Sequence, residues 1–164
     1  MDESTSHDFD FFFGSWRVQH RRLVERLAGC DEWLDFEGSC AVRPMLGGLG
    51  NVDDNVLHLP AGEYRAATFR SFDVQHKRWA IWWLDGRDPH RLDAPMVGSF
   101  SQGVGSFYAD DTFNGRPIRV RFRWVDTLSP SPRWEQAFSP DDGKTWEINW
   151  TMCFVRRAAT CAPG

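Results

Sequence analysis

The stretch "TWEINWTMCFVRR", Thr145 to Arg157, lies near the end of a 164-residue chain and alternates bulky apolar with polar side chains. Successive side chains of an extended strand point to opposite faces. Trp146, Ile148, Trp150, Met152 and Phe154 therefore share one face, assigned to an interior, and Glu147, Asn149 and Thr151 the other. The same ruler on Pro117 to Trp124 sends Val120, Phe122 and Trp124 inward and Arg119, Arg121 and Arg123 outward. Between these stretches, Trp134, Gln136 and Phe138 face inward. Glu135 then stands beside the outward arginines as a cross-strand charge pair, and Gln136 is left as a polar group on an apolar face.

Extended outward, this period of two covers most of the chain, broken by turn clusters roughly every 8 to 12 residues, the pattern of an antiparallel sandwich or barrel. Ten strands are expected: Ser15–Leu27, Glu32–Arg43, Asn51–Leu59, Glu63–Phe72, Arg78–Asp85, Arg91–Ser101, Gly103–Ala109, Pro117–Asp126, Arg133–Ser139 and Thr145–Arg156. No long segment holds a helical period. Hairpins that follow one another without a crossover helix favour an up-and-down meander, and a meander this long best protects its edges by closing. The fold expected is all-β: one closed antiparallel up-and-down barrel over residues 9–157, with a flexible N-terminus (1–8) and a flexible C-terminal tail (158–164). "HDFDFFFG", His7 to Gly14, reads as a short helical turn or plug ahead of the first strand.

Composition narrows the partners. A formal net charge of −4 supplies no surplus of Lys and Arg for phosphate contacts, so nucleic acid is not an expected partner. No apolar run reaches the roughly 20 residues of a membrane-spanning helix, and Asp2 and Glu3 do not open a signal segment. A cytoplasmic protein with no membrane partner is expected, with Cys30, Cys40, Cys153 and Cys161 as free thiols. No C-x-x-C pair suggests zinc, so neither a metal nor a cofactor is expected. A homodimer is left open. Nine tryptophans and thirteen phenylalanines against two tyrosines either fill a core tightly or line a cavity.

The first strand carries the ambiguity that matters for chemistry. If its phase holds, Trp16, Val18, His20 and Arg22 all point inward, and a buried His and Arg must find partners or a ligand. If a bulge shifts the phase after Val18, Leu23 and Leu27 point inward and the His-Arg run is solvated.

Gly14-Ser15-Trp16 opens that strand, and "CFVRR" closes the last. A Gly-x-Trp at the start of the first barrel strand with an arginine ending the last resembles the calycin superfamily of lipocalins and fatty-acid-binding proteins. Phe9 to Arg157 is also similar to a bacterial lipocalin-like family whose members open with "FDF..G.W.V". The resemblance implies a barrel with a cavity for a small, largely apolar or aromatic molecule, and an arginine, Arg156 or Arg157, packed over Trp16 at the closed end. It implies no catalytic set. Haem binding through a late histidine, known in one such relative, is disfavoured because the last histidine is His90. "SPDDGKTW", Ser139 to Trp146, is similar to the Asp box of sialidase propellers, but one copy in a short chain reads as a hairpin turn capped by Asp141.

Two further stretches could carry function. "GGLGNVDDNV", Gly47 to Val56, combines a glycine-rich turn with Asn51, Asp53, Asp54 and Asn55 and reads either as a flexible polar turn or as the polar rim of a pocket; it has neither phosphate-loop nor EF-hand spacing. In "WWLDGRDPHR", Trp82 to Arg91, adjacent tryptophans must face opposite ways, and Trp83 shares a face with Asp85, with Arg87 in the loop beyond. Three readings result. The first is a binding module with Trp16, Trp83, Trp124, Trp134 and Trp150 as wall candidates, Gln136 among them. The second is an isomerase, cyclase or hydratase using His20 as acid-base with Arg22, Asp85 or Gln136. The third is a filled barrel with no cavity.

Overall fold

The computed structural model describes residues 3–158. Ten strands follow in chain order: β1 Gly14–Leu23, β2 Trp33–Met45, β3 Gly50–Leu59, β4 Gly62–Asp73, β5 Arg78–Asp85, β6 Met96–Ser101, β7 Val104–Phe113, β8 Arg116–Val125, β9 Arg133–Ser139 and β10 Glu147–Arg156. Each pairs antiparallel with its neighbours in sequence, and β10 returns to β1, closing the barrel. Short 3-10 turns at Asp10–Phe12 and Leu46–Gly48 are the helical elements among the described residues.

Three departures from simple alternation have physical causes. In β10 the register with β9 shifts between Ile148 and Trp150, a β-bulge that places Asn149 on the buried side. Trp150, Met152 and Phe154 stay inside as expected. Trp146 and Ile148, assigned inward from the sequence, lie outside: Ile148 is 38% exposed, and Trp146 packs 4.5 Å beneath the outward Arg121 guanidinium and beside Tyr108. The second departure is the strand expected from Arg91, which begins only at Met96. Pro95 donates no amide hydrogen, and the β5–β6 ladder is three pairs long, from Trp79↔Gly98 to Ile81↔Met96. Trp82 to Asp85 thus pair with β4 alone. The third is Gly47 to Val56, where the turn is confined to Leu46–Gly48 and the strand expected from Asn51 begins one residue earlier, at Gly50, paired on both sides.

The inward phase of β1 holds through Arg22, and Leu23 at the strand's end is buried as well. Trp16, Val18 and His20 are buried, and Arg22 is half-buried within the barrel. The strand stops at Leu23, four residues short of expectation, where the chain bends and Leu27 takes a positive φ of 55°.

An aromatic plug seals one end. Phe9 and Phe12, on and beside the first 3-10 turn, insert into the barrel, with Phe12 4.7 Å from Trp124 and 4.9 Å from Phe154, and Phe9 4.9 Å from Trp79. Within the segment assigned to a flexible N-terminus, Ser4 Oγ accepts from the Phe100 amide and Asp8 accepts from the Trp79 indole. Trp16 donates its indole N–H to Phe12 O at 2.8 Å. Of the two candidate arginines, Arg156 is the one that covers this ring, 4.1 Å from its centroid, while donating to the carbonyls of Phe13 and Phe11. Gly14 has φ +114°, and a Cβ there would meet Arg156 Nη1 at 2.6 Å. Gly14→Ala is expected to cost about 2 kcal/mol, the scale of a side chain forced into that backbone region, read as a lower urea midpoint at unchanged slope.

Candidate functional site

Above the plug the barrel holds a cavity of about 520 Å³, within the range that encloses a small ligand. Its lower wall is aromatic and apolar: Phe12, Trp124 and Phe154 at the base, then Trp134, Phe122, Val120, Ile81 and Met152. Trp83 and Trp150 stand higher, edge to face at 5.8 Å, and Trp150 meets Trp134 the same way at 5.2 Å. Such edge-to-face packing fixes ring planes and leaves flat apolar walls.

A polar network interrupts this surface on β3 and β4. Alternation puts Asn51, Asp53 and Asn55 inside on β3, and Tyr64, Ala66, Thr68, Arg70 and Phe72 inside on β4. Arg70 Nη1 reaches Asp53 Oδ2 at 2.7 Å and donates to Asn51 Oδ1 at 2.8 Å, with both members of the ion pair almost fully buried. Asp53 also accepts from the Asn55 amide and from the Thr68 backbone N–H. The Arg70 guanidinium lies 5.1 Å from the Phe9 ring and 5.3 Å from Phe12, joining the network to the plug. This pair escaped the sequence reading, although the parity of Arg70 with Tyr64 and Phe72 contained the signal.

The upper rim is charged. Arg22 stacks 4.0 Å over Trp150 and donates to Tyr64 Oη at 3.0 Å. Arg26, from the bend after β1, lies 5.4 Å over Phe138. Arg87 lies 3.6 Å over Tyr64 and forks onto Asp85 at 2.7 and 3.1 Å. That fork holds the Asp85 carboxyl below its ordinary range. Asp93, Asp110 and Asp111 line the rim elsewhere.

Of the residues singled out from sequence, Arg22, Asn55, Trp83, Asp85, Arg87, Trp124, Trp134, Gln136 and Trp150 line the cavity. Trp16 lies below it as part of the sealed end, and Asn51 is consumed by Arg70. Asp54 is exposed on the outer face of β3. Gln136, the polar group on an apolar face, donates to Asn149 Oδ1 at 2.8 Å, so the bulge supplies its partner. The His20–Asp85 pair is not formed. His20 lies flat on Phe36 at 4.6 Å and its Nδ1 accepts the Trp150 indole N–H at 3.1 Å, while Asp85 is held by Arg87. Gly38 makes room for the imidazole, since a Cβ there would come within 2.9 Å of His20 Nε2. Cys30, Cys40 and Cys153 are free; Cys161 lies outside the described residues. No group of His, Cys, Asp and Glu able to hold a metal ion occurs among the described residues.

No protein-family model matches this chain, and no curated protein matches it either.

Burial, and secondarily the charge of Arg22, pushes the His20 pKa from 6.5 down to about 3. The folded protein keeps this ring neutral where an unfolded chain protonates it. Stability contributed by His20 is therefore complete above pH 6.5 and is lost as pH falls toward 3. Between pH 7 and 5 the unfolding free energy should decline toward a slope of about 1.4 kcal/mol per unit, and His20→Gln should flatten that decline in urea titrations at stepped pH. Arg70→Met strands the Asp53 carboxylate in the barrel and should cost about 3–5 kcal/mol, more than the paired change with Asp53→Asn.

Proposed function

We propose that the chain is a calycin-like binding protein whose barrel interior holds one small, largely apolar or aromatic molecule. The observation that carries this reading is the cavity of about 520 Å³ between the plug and the rim, walled by tryptophan and phenylalanine. A filled barrel would place its rings in mutual contact throughout; here Trp83 and Trp134 each meet Trp150 edge to face while all three also border open space. Flat aromatic walls recognise flat or chain-like apolar bodies through area and ring-edge contacts, while the polar groups of β3, β4 and the rim are available to set orientation. The Gly-x-Trp with the Arg156 cover supports the calycin-like assignment, because the same residues close the barrel here.

The test uses N-phenyl-1-naphthylamine, a neutral fluorophore that brightens in apolar surroundings. Saturable brightening with quenching of tryptophan emission is expected. Ala109→Trp, which adds an indole to the cavity wall, should abolish both while the thermal melt persists; a wild-type protein that gives no saturable signal would overturn the reading.

A further inference from the structure

The rim arginines are unequal. Arg87 is neutralised by the fork onto Asp85, and Arg91 outside the cavity by Asp93. Among the described residues, neither Arg22 nor Arg26 has a carboxylate within 4.0 Å. Yet both line the cavity, both are half-buried, and both sit over aromatic faces, Trp150 and Phe138. Arg22 also keeps its Nε buried without a hydrogen-bond partner. Burial together with the neighbouring Arg22 charge holds Arg26 below its ordinary pKa. Two neighbouring guanidinium groups drawn out of water, with Glu147 near Arg26 and Asp85 near Arg22 but no carboxylate in ion-pair contact, leave part of their desolvation and mutual repulsion uncompensated.

We propose that Arg22 and Arg26 form an anion subsite at the cavity rim, and that the molecule held in the barrel carries one anionic group there above an apolar or aromatic body. This rests on the binding reading above and specifies its ligand. The guanidinium fork suits carboxylate, sulfonate and phosphate oxygens alike, because each offers two acceptors at matching separation. Trp150 and Tyr64 fix the Arg22 plane from two sides, so little side-chain freedom remains to be lost on binding. Across the opening, Asp110 and Asp111 on β7 repel the same group. The rim thus fixes one orientation: head toward β1, body toward Trp83, Trp134 and the plug.

A matched pair of probes separates this claim from the one beneath it. 8-Anilino-1-naphthalenesulfonate has the skeleton of N-phenyl-1-naphthylamine with a sulfonate added. The sulfonate should bind about tenfold tighter or more, the scale of one charge-assisted contact. Arg22→Gln with Arg26→Gln should erase that preference, read as the ratio of the two probes' affinities in the same variant so that any change common to both cancels. Equal affinities in the wild type, or a double variant that retains the preference, overturns the anion subsite and leaves the binding reading intact. Failure of both probes in the wild type overturns both. Should the double variant not fold, the wild-type ratio decides alone, and its fall with rising salt must accompany a genuine ionic contact.

Discussion

The Arg156 guanidinium over Trp16 ties three parts of the chain into one joint. It covers an indole from the first strand, comes from the last, and donates to carbonyls of the segment that plugs the barrel. Ring closure between β1 and β10 pairs residues more than a hundred positions apart, and such long-range ladders gain nothing until the intervening chain is ordered. A charge-assisted joint at that seam rewards closure at the point where backbone ladder and aromatic floor meet. Phe12, which forms the cavity's base with Trp124 and Phe154, is tied to this joint through the Trp16 indole.

Between floor and rim the interior changes from one way of satisfying charge to another. The Arg70–Asp53 pair is joined by Asn51, Asn55 and a backbone amide, so much of its cost of burial is offset within the protein, although Arg70 Nε is buried without a partner. The Arg87–Asp85 pair is likewise internal but half in solvent, where such a contact contributes little net stability. Arg22 is satisfied through a phenol and a ring face alone.

Much of the fold was legible because parity is a local property. β8 and β9 read correctly from their own residues, down to Glu135 beside Arg123, now seen at 3.4 Å. Trp83 and Asp85 were rightly placed on one face. The failures share a cause. Nothing in "EINW" marks Asn149 as the bulged residue; its place depends on Gln136 across the ladder. The strand from Asn51 was legible, but the burial of its polar residues was not: Asn51 and Asp53 are paired inside the barrel with Arg70, nineteen residues beyond Asn51. The inward phase of β1 could not be chosen locally because His20 needs Phe36, Trp150 and the space beside Gly38. Tertiary partners decided each case.

The three-pair ladder between β5 and β6 has a consequence of its own. A closed barrel removes sheet edges, yet Trp82 to Asp85 present one on their β6 side, guarded by Asp85, Arg87 and the prolines of the adjoining loop, devices that discourage another strand from docking. Local opening at this joint breaks fewer backbone pairings than at any other seam of the wall. Of the ten seams that close the wall, this one is joined by the fewest paired residues, so the barrel's continuity is least redundant there.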